Sequence, residues 1–379
     1  MTRRVRIRTT VLVTMMLAGV WVEAQDLRVG VLGLFRPHQF ALSPLAGSAL
    51  VVHVGAESVV LEASSGVNIA HIYLTADKVV LTVGTRVFRA SEVTVTSREN
   101  GPVDFNLAVP GKITRHYRGT LQLKPASRVL RAVVTMDMET AVASVVAAES
   151  TADTPSEALK ALAVAARSYF VAGEGRHRDF DFCDTTHCQF LREPPASASA
   201  AAQATSATRG LVIAYKSAYQ SQPIAAMYTR SCSGRTRTPS ELGLAPAAYP
   251  YYSVECNYCR QHPERWESRL SAEDAAVLRS SNESSRLRLG RRLGWSAVPS
   301  NDFVMRKEGE QTVLRGVGRG HGIGLCQAGA KAMAEAGADF HEILAHYYPN
   351  TAIITLGSAA PSQTDRHRIS QPCGAPLLF

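Results

Sequence analysis

Glu149 closes an apolar run in which Met138, Val142, Val145, Val146 and Glu149 recur at i, i+4, i+7, i+8 and i+11, one face of a helix. A carboxyl set on such a face loses water and holds its proton to higher pH, which suits general acid/base work. On the helix pattern alone, a solvated Glu at a helix end fits equally simply. Lys160 and Arg167 lie seven residues apart, two helical turns, and so share a face. They form either a basic side open to solvent or a pair that orients a polar ligand. His177, Cys183, His187 and Cys188 offer two thiolates and two imidazoles, a donor set that suits tetrahedral Zn²⁺. A Cys183–Cys188 disulfide is the competing reading. Cys256-Asn257-Tyr258-Cys259, with Cys232 upstream, reads as a disulfide pair, a redox site or a metal clip. A disulfide from Cys232 to one of the two is the expectation.

His321 and Gln327 sit in and just after a Gly-rich stretch, 316–324. Glycines there let backbone approach a ligand, or simply make a packed turn. No Lys-Ser/Thr follows, so the stretch does not read as a nucleotide cradle, and no nucleic-acid partner is expected. Cys326 lacks any sequence neighbour that would activate it as a nucleophile.

The elements that must position these groups divide in two. Residues 25–135 carry short β-prone runs at Leu27–Leu32, Ala49–Val54, Ser58–Leu61, Val79–Val83, Val93–Ser97 and Leu121–Leu123, punctuated by Gly, Asn and Pro. They predict an antiparallel scaffold. From 136 to 355 the character is mixed α/β. A helix over Met138–Glu149 takes Asp137 as N-cap. A second follows at once, with Thr154-Pro155-Ser156-Glu157 as a capping box, and ends near Gly173. Further helices are expected over 196–208, 327–336 and 339–347, and a strand over 313–316. Residues 271–300 read as polar surface. The fold class is therefore α+β, with a helical segment carrying Glu149.

The chain has 379 residues, 46% apolar and 19% charged, enough to bury a substantial core. Residues 1–24 read as a secretory signal peptide: Arg3, Arg4, Arg6 and Arg8, then a short apolar stretch, then Val22-Glu23-Ala24 before Gln25. That stretch is short of the roughly 20 apolar residues of a membrane span, and no membrane span is expected in the mature chain. The leader carries four of the 41 Lys+Arg and one of the 32 Asp+Glu, so its removal lowers the net charge from +9 to +6. A basic exported chain suits a polyanionic wall. Seven cysteines fit an oxidising compartment, and their odd number leaves one thiol over. Residues 356–379 read as a disordered tail.

Four segments, in order, resemble the SpoIID/LytB family of stage II sporulation protein D and its relatives. They are Val145–Ser150 with Glu157–Tyr169, then Asp184-Thr185-Thr186-His187-Cys188-Gln189, then Tyr228–Gly234 with Arg235-Thr236, and Gly318–Ala330. His346-Tyr347-Tyr348-Pro349 closes the pattern. Ser150 stands where Met is common, one Gly of the Ser-Gly-Gly turn is lost at Arg235, and Arg319 and Ala328 replace aromatic residues.

The resemblance implies a peptidoglycan lytic transglycosylase with Glu149 as its single acid/base. Substrate contacts would come from Lys160, Arg167, Tyr228, Ser231, His321 and Gln327. No cofactor is needed for that chemistry, although the resemblance also implies structural zinc at the His/Cys cluster. The implied partners are glycan strands and, in a non-catalytic alternative, a cell-wall amidase. The chain would be exported to the periplasm or wall. A hydrolase pairing Glu149 with Asp153 or Asp184 is a third expectation.

Overall fold

The computed structural model describes residues 26–356 apart from 67, 174–176, 217–220, 246, 248 and 279–281. The expected signal peptide, and the expected tail beyond Leu356, lie outside the described residues.

Eleven strands precede the first α-helix: β1 (Asp26–Val31), β2 (Gln39–Pro44), β3 (Ala49–Val54), β4 (Glu57–Glu62), β5 (Ala70–Thr75), β6 (Lys78–Val83), β7 (Arg86–Ala90), β8 (Val93–Thr96), β9 (Val103–Val109), β10 (Ile113–Ala126) and β11 (Val129–Asp137). The sheet runs β1-β11-β10-β9-β2-β5-β6-β7, antiparallel throughout, with β8 pairing β10 and β3, and β4 pairing β3. Burial alternates strictly along β3 and β9, the period-two signature of a sheet with one face on the core. β2, β5, β7, β9 and β11 lie outside the β-prone runs. Polar or charged residues at their less buried positions, such as Gln39, His71, Arg86, Asp104 and Arg131, dilute the apolar pattern. The boundary expected at residue 135 falls inside β11, because Met136 and Asp137 still pair with Leu27 and Asp26.

The chain then enters α1 (Met138–Glu149), capped by the Asp137 carboxylate, which accepts the Thr140 N–H at 3.0 Å. The next helix, α2 (Ser156–Ala172), carries the buried stripe that includes Leu159, Leu162, Ala163, Ala166 and Phe170. The expected capping box does not form. Pro155 occupies the N-cap with no side-chain hydrogen bond, and Glu157 turns instead to Lys160 and the Phe340 N–H.

After α2 the chain returns to the large sheet. A two-residue strand, β12 (Phe182–Cys183), adds parallel to β1, and the Asp184 N–H donates to Gly30 O at 3.1 Å. The C-terminal part therefore shares the sheet of the N-terminal part. Next come α3 (Ala200–Ala207), β13 (Leu211–Lys216), β14 (Ser221–Pro223), β15 (Tyr228–Thr229), α4 (Asn257–Gln261), β16 (Arg265–Ser271), α5 (Ala272–Val277), α6 (Glu283–Leu293), β17 (Phe303–Glu308), β18 (Gln311–Val317), β19 (Leu325–Cys326), α7 (Gln327–Glu335), α8 (Phe340–Tyr347) and β20 (Thr351–Thr355). β15 pairs parallel with β19, and β16-β18-β17 form a separate antiparallel sheet.

The region 271–300 is not merely polar surface. Ala275, Leu278, Leu289 and Val298 join Trp266, Leu270 and Leu314 in a small third core. Its sparse apolar residues face one way, and the Arg-rich remainder of α6 hid them in the composition. Among the described residues, no helix is long and apolar enough to cross a membrane.

Arg167 departs from the sequence expectation. It does not reach out to a ligand. Its side chain is fully buried, donating to Glu139 through Nε (2.8 Å) and Nη2 (2.6 Å), to Leu211 O (3.1 Å) and to Thr205 O (3.3 Å). One guanidinium thus ties α1, α2, α3 and the start of β13. The planar fork satisfies four acceptors that Lys could not serve together. Arg167→Met should cost about 3 kcal/mol, the low end for breaking a buried ion pair, because the Glu139 carboxylate left without its cation is only half-buried. Arg167→Lys should recover only part of that loss. Urea unfolding of the three proteins checks it, and equal midpoints would refute the tie.

Candidate active site

Three separated segments bring the site together. The last residue of α1 supplies Glu149, β15 and the turn after it supply Tyr228 and Arg230, and the first residue of α7 supplies Gln327. Each lies within one of the segments singled out in the sequence. The α1 helix ends at Ser150, whose hydroxyl returns to Val146 O at 2.6 Å and whose backbone turns extended. The helix therefore stops at Glu149, one turn past the buried Val145 and Val146.

Glu149 is half-buried. Desolvation is the largest influence on its carboxyl and pushes its proton affinity above the usual carboxylate range. Two groups oppose this: Gln327 Nε2 donates to Glu149 Oε2 at 3.3 Å, and the positive charge of Arg230 lies near enough to act. Burial wins. The carboxyl thus holds its proton to higher pH than an exposed glutamate, while its ionised form keeps a donor and a cation at hand, which suits a group that gives and retakes a proton.

Tyr228 is the neighbouring wall. Its hydroxyl donates to Gln189 Oε1 at 2.6 Å, and Gln189 Nε2 donates to Ala166 O at 2.8 Å. Burial, and then the charge of Glu149, raise the phenol well above its ordinary value, so it stays a neutral donor.

The other expected ligand contacts fall less directly. Ser231 is buried, with its hydroxyl donating to Glu264 Oε2 at 2.6 Å. Glu264 also holds Arg319, so Ser231 is spent on this network rather than offered to a ligand. Lys160 pairs with Glu157 at 2.6 Å and lies over the Phe340 ring at 5.9 Å, where α2 meets α8. His321 accepts the Ile323 N–H on Nδ1 at 3.0 Å. Burial pushes the imidazole down to about 4, partly offset by Glu283, so it stays neutral. It also hydrogen-bonds the Tyr228 backbone, which makes it a brace for β15.

The glycines of the loop are likewise for packing. At Gly324 (φ 71°) a Cβ would lie 1.9 Å from Met227 O, and at Gly320 (φ 97°) one would lie 2.4 Å from Thr229 Oγ1. Only glycine lets this loop close onto β15. Arg230 was missed by the sequence reading: it lies inside the Tyr228–Gly234 segment, but nothing in the spacing relates it to Glu149.

The two acids considered as a second carboxylate are both engaged. Asp153 is exposed and pairs with Lys331, and hydrogen bonds from Lys331 and Thr151 hold it down to about 2. Lys331 is one turn along α7 from Gln327. Asp184 is buried on the large sheet, where it accepts from Arg115 Nη1 at 2.8 Å and from the Leu32 N–H at 3.0 Å. Burial brings it up to about 6.

The loop carrying Asp184 also gathers His177, Cys183, His187 and Cys188, whose ligand atoms all lie within 4.8 Å of one another. His177 Nε2 is 3.2 Å from Cys188 Sγ, and His187 Nδ1 is 3.4 Å from Cys188 Sγ and 3.7 Å from Cys183 Sγ. With Zn–S of about 2.3 Å and Zn–N of about 2.0–2.1 Å, tetrahedral edges would be roughly 3.5 Å, so this donor set fits zinc.

Residues 126–215 match the family model for SpoIID, stage II sporulation protein. An uncharacterized protein of Brachyspira hyodysenteriae is 29% identical over 275 residues, covering 63% of this chain and 72% of that protein. A protein named amidase enhancer, from Bacillus subtilis, is 41% identical over 61 residues, which are 16% of this chain and 9% of that protein.

Gln327→Leu and Arg230→Ala each remove a group that favours the ionised carboxyl, so both should raise the titration midpoint of Glu149 in carboxyl-detected NMR. A midpoint unmoved in both would refute the arrangement. The sign for stability follows. A carboxyl raised above its unfolded value, about 4.3 for Glu, takes stability away as pH rises from that value through the folded one. Glu149→Gln should therefore melt higher than the parent at neutral pH and lose that advantage below about pH 4.

Proposed function

Because the chain belongs to the SpoIID/LytB family, we propose that it is a peptidoglycan lytic transglycosylase, cleaving the bond between N-acetylmuramic acid and N-acetylglucosamine with Glu149 as the only acid/base. The observation that carries this reading is the state of Glu149: a proton-favouring, half-buried carboxyl with Gln327 and Arg230 beside it. Glycoside hydrolysis ordinarily uses two carboxyl groups flanking the bond. Here the two other candidates, Asp153 and Asp184, are bound to Lys331 and Arg115, which favours a one-carboxyl reaction.

In that reaction Glu149 gives its proton to the bridging oxygen as the bond from the muramyl C1 breaks, and the leaving sugar departs with a hydroxyl. Gln327 and Arg230 then steady the carboxylate. The muramyl 6-hydroxyl attacks C1, and its proton passes to Glu149. No water is consumed, the muramyl end closes as a 1,6-anhydro ring, and the acid is restored. Tyr228 and Gln327 line the sugar site, with Lys160 farther along α2. His321, Ser231 and Arg167 hold the elements in place. The substrate is glycan strand, reached by export through the N-terminal leader.

A structural Zn²⁺ held by His177, Cys183, His187 and Cys188 would fasten their loop to β1, away from the proton transfer. The alternative reading, a non-catalytic enhancer of a cell-wall amidase, has in its favour the 61-residue likeness to the Bacillus subtilis amidase enhancer.

Purified protein incubated with denuded and with peptide-bearing glycan should yield anhydro-muramyl ends by mass spectrometry. Glu149→Gln should lose roughly 10²–10⁴-fold in rate while still binding glycan. Reducing ends would indicate hydrolysis instead, and binding without cleavage would indicate the enhancer. A Glu149→Gln protein as fast as the parent would refute the assignment.

A further inference from the structure

Cys232, Cys256, Cys259 and Cys326 come from three places in the chain and meet at one point. Cys232 follows β15, Cys256 caps α4, Cys259 lies within α4, and Cys326 ends β19 and caps α7. Their sulfurs all lie within 4.8 Å of one another, and every one of the four residues is at most 2% exposed. We propose that these four thiolates form a second, all-sulfur zinc site, distinct from the His/Cys cluster.

Four observations carry it. Cys259 Sγ and Cys326 Sγ are 3.5 Å apart, close to the roughly 3.8 Å edge of a tetrahedron with Zn–S of about 2.3 Å and far from a disulfide bond of about 2.05 Å. Buried cysteines packed as small hydrophobes have no reason to aim four sulfurs at a common centre. The Cys232 N–H donates to Cys326 Sγ at 3.3 Å, the kind of contact that fixes a thiolate ligand and relieves its charge. Space is also kept open: a Cβ on Gly329 in α7 would lie 2.0 Å from the Tyr347 hydroxyl and 2.6 Å from Cys256 Sγ. A glycine inside a helix costs roughly 1 kcal/mol against alanine, a cost offset here by room for the phenol and the sulfur together.

On binding, the four thiols release their protons and the ion replaces them as the shared partner of all four sulfurs. The site joins α4 to the β15–β19 pair. Cys326 immediately precedes Gln327, the donor to Glu149, so the ion would set where that amide sits. The inference stands whether or not Glu149 cleaves glycan.

The test is zinc content per chain by elemental analysis, in protein prepared without chelator. C183S/C188S disables the His/Cys cluster and should retain one zinc per chain, released as the thiols are titrated with a mercurial. Adding C256S/C259S should bring zinc to zero. A metal-free C183S/C188S chain overturns the proposal, whether the four sulfurs are recovered as thiols or as disulfides. Should C183S/C188S fail to fold, wild-type protein exchanged into Co²⁺ decides. Charge-transfer absorption of an ion bound by four thiolates supports the site, and a spectrum of two-thiolate, two-imidazole coordination alone overturns it.

Discussion

The carboxyl of Glu149 is kept largely from water and yet has a hydrogen-bond donor and a cation beside it, a balance that three distant segments of the chain must meet to make. Burial against α1 raises its proton affinity, while Gln327 and Arg230 limit the rise. Those three groups come from α1, from the turn after β15 and from α7, separated by up to 178 residues. The remaining architecture serves to fix those three ends.

Arg167 is the clearest of the fixtures. A guanidinium with no exposure stabilises a fold only when its donors are matched, and here Glu139 and two backbone carbonyls match them. The α1 helix is thereby locked to α2, and through the same group to α3 and β13. On the other side of the site, the Gly320 and Gly324 turns let the loop after β18 lie against β15, and His321 braces that contact as a neutral imidazole. One sulfur cluster sits where the loop after α2 returns to β1, the other inside the second hydrophobic core, where α4 meets the start of α7.

The elements with strong local signals were legible from the residues. The periodic spacing from Met138 to Glu149 and the Asp137 cap depend on neighbours within a few positions. So do the His/Cys spacing and the final helix before Pro349. Strands such as β2 and β9 were not legible, because the polar residues on their less buried positions break up the apolar run. The helix α6 was hidden for a similar reason: Leu289 and the buried Arg286 face a core made by β16 and β18.

The sequence by itself determined the order of the motifs, the helix that ends at Glu149 and the chemical types gathered along the chain, because each follows from spacing within one element. Tertiary structure alone decided the rest. It turned Arg167 inward, committed Ser231 to Glu264, brought Arg230 and Gln327 to the carboxyl, and drew Cys326 to Cys232, Cys256 and Cys259, two of which the sequence had paired in a disulfide. Those outcomes depend on which surfaces lose their water when distant segments pack, and one-dimensional spacing carries no record of that.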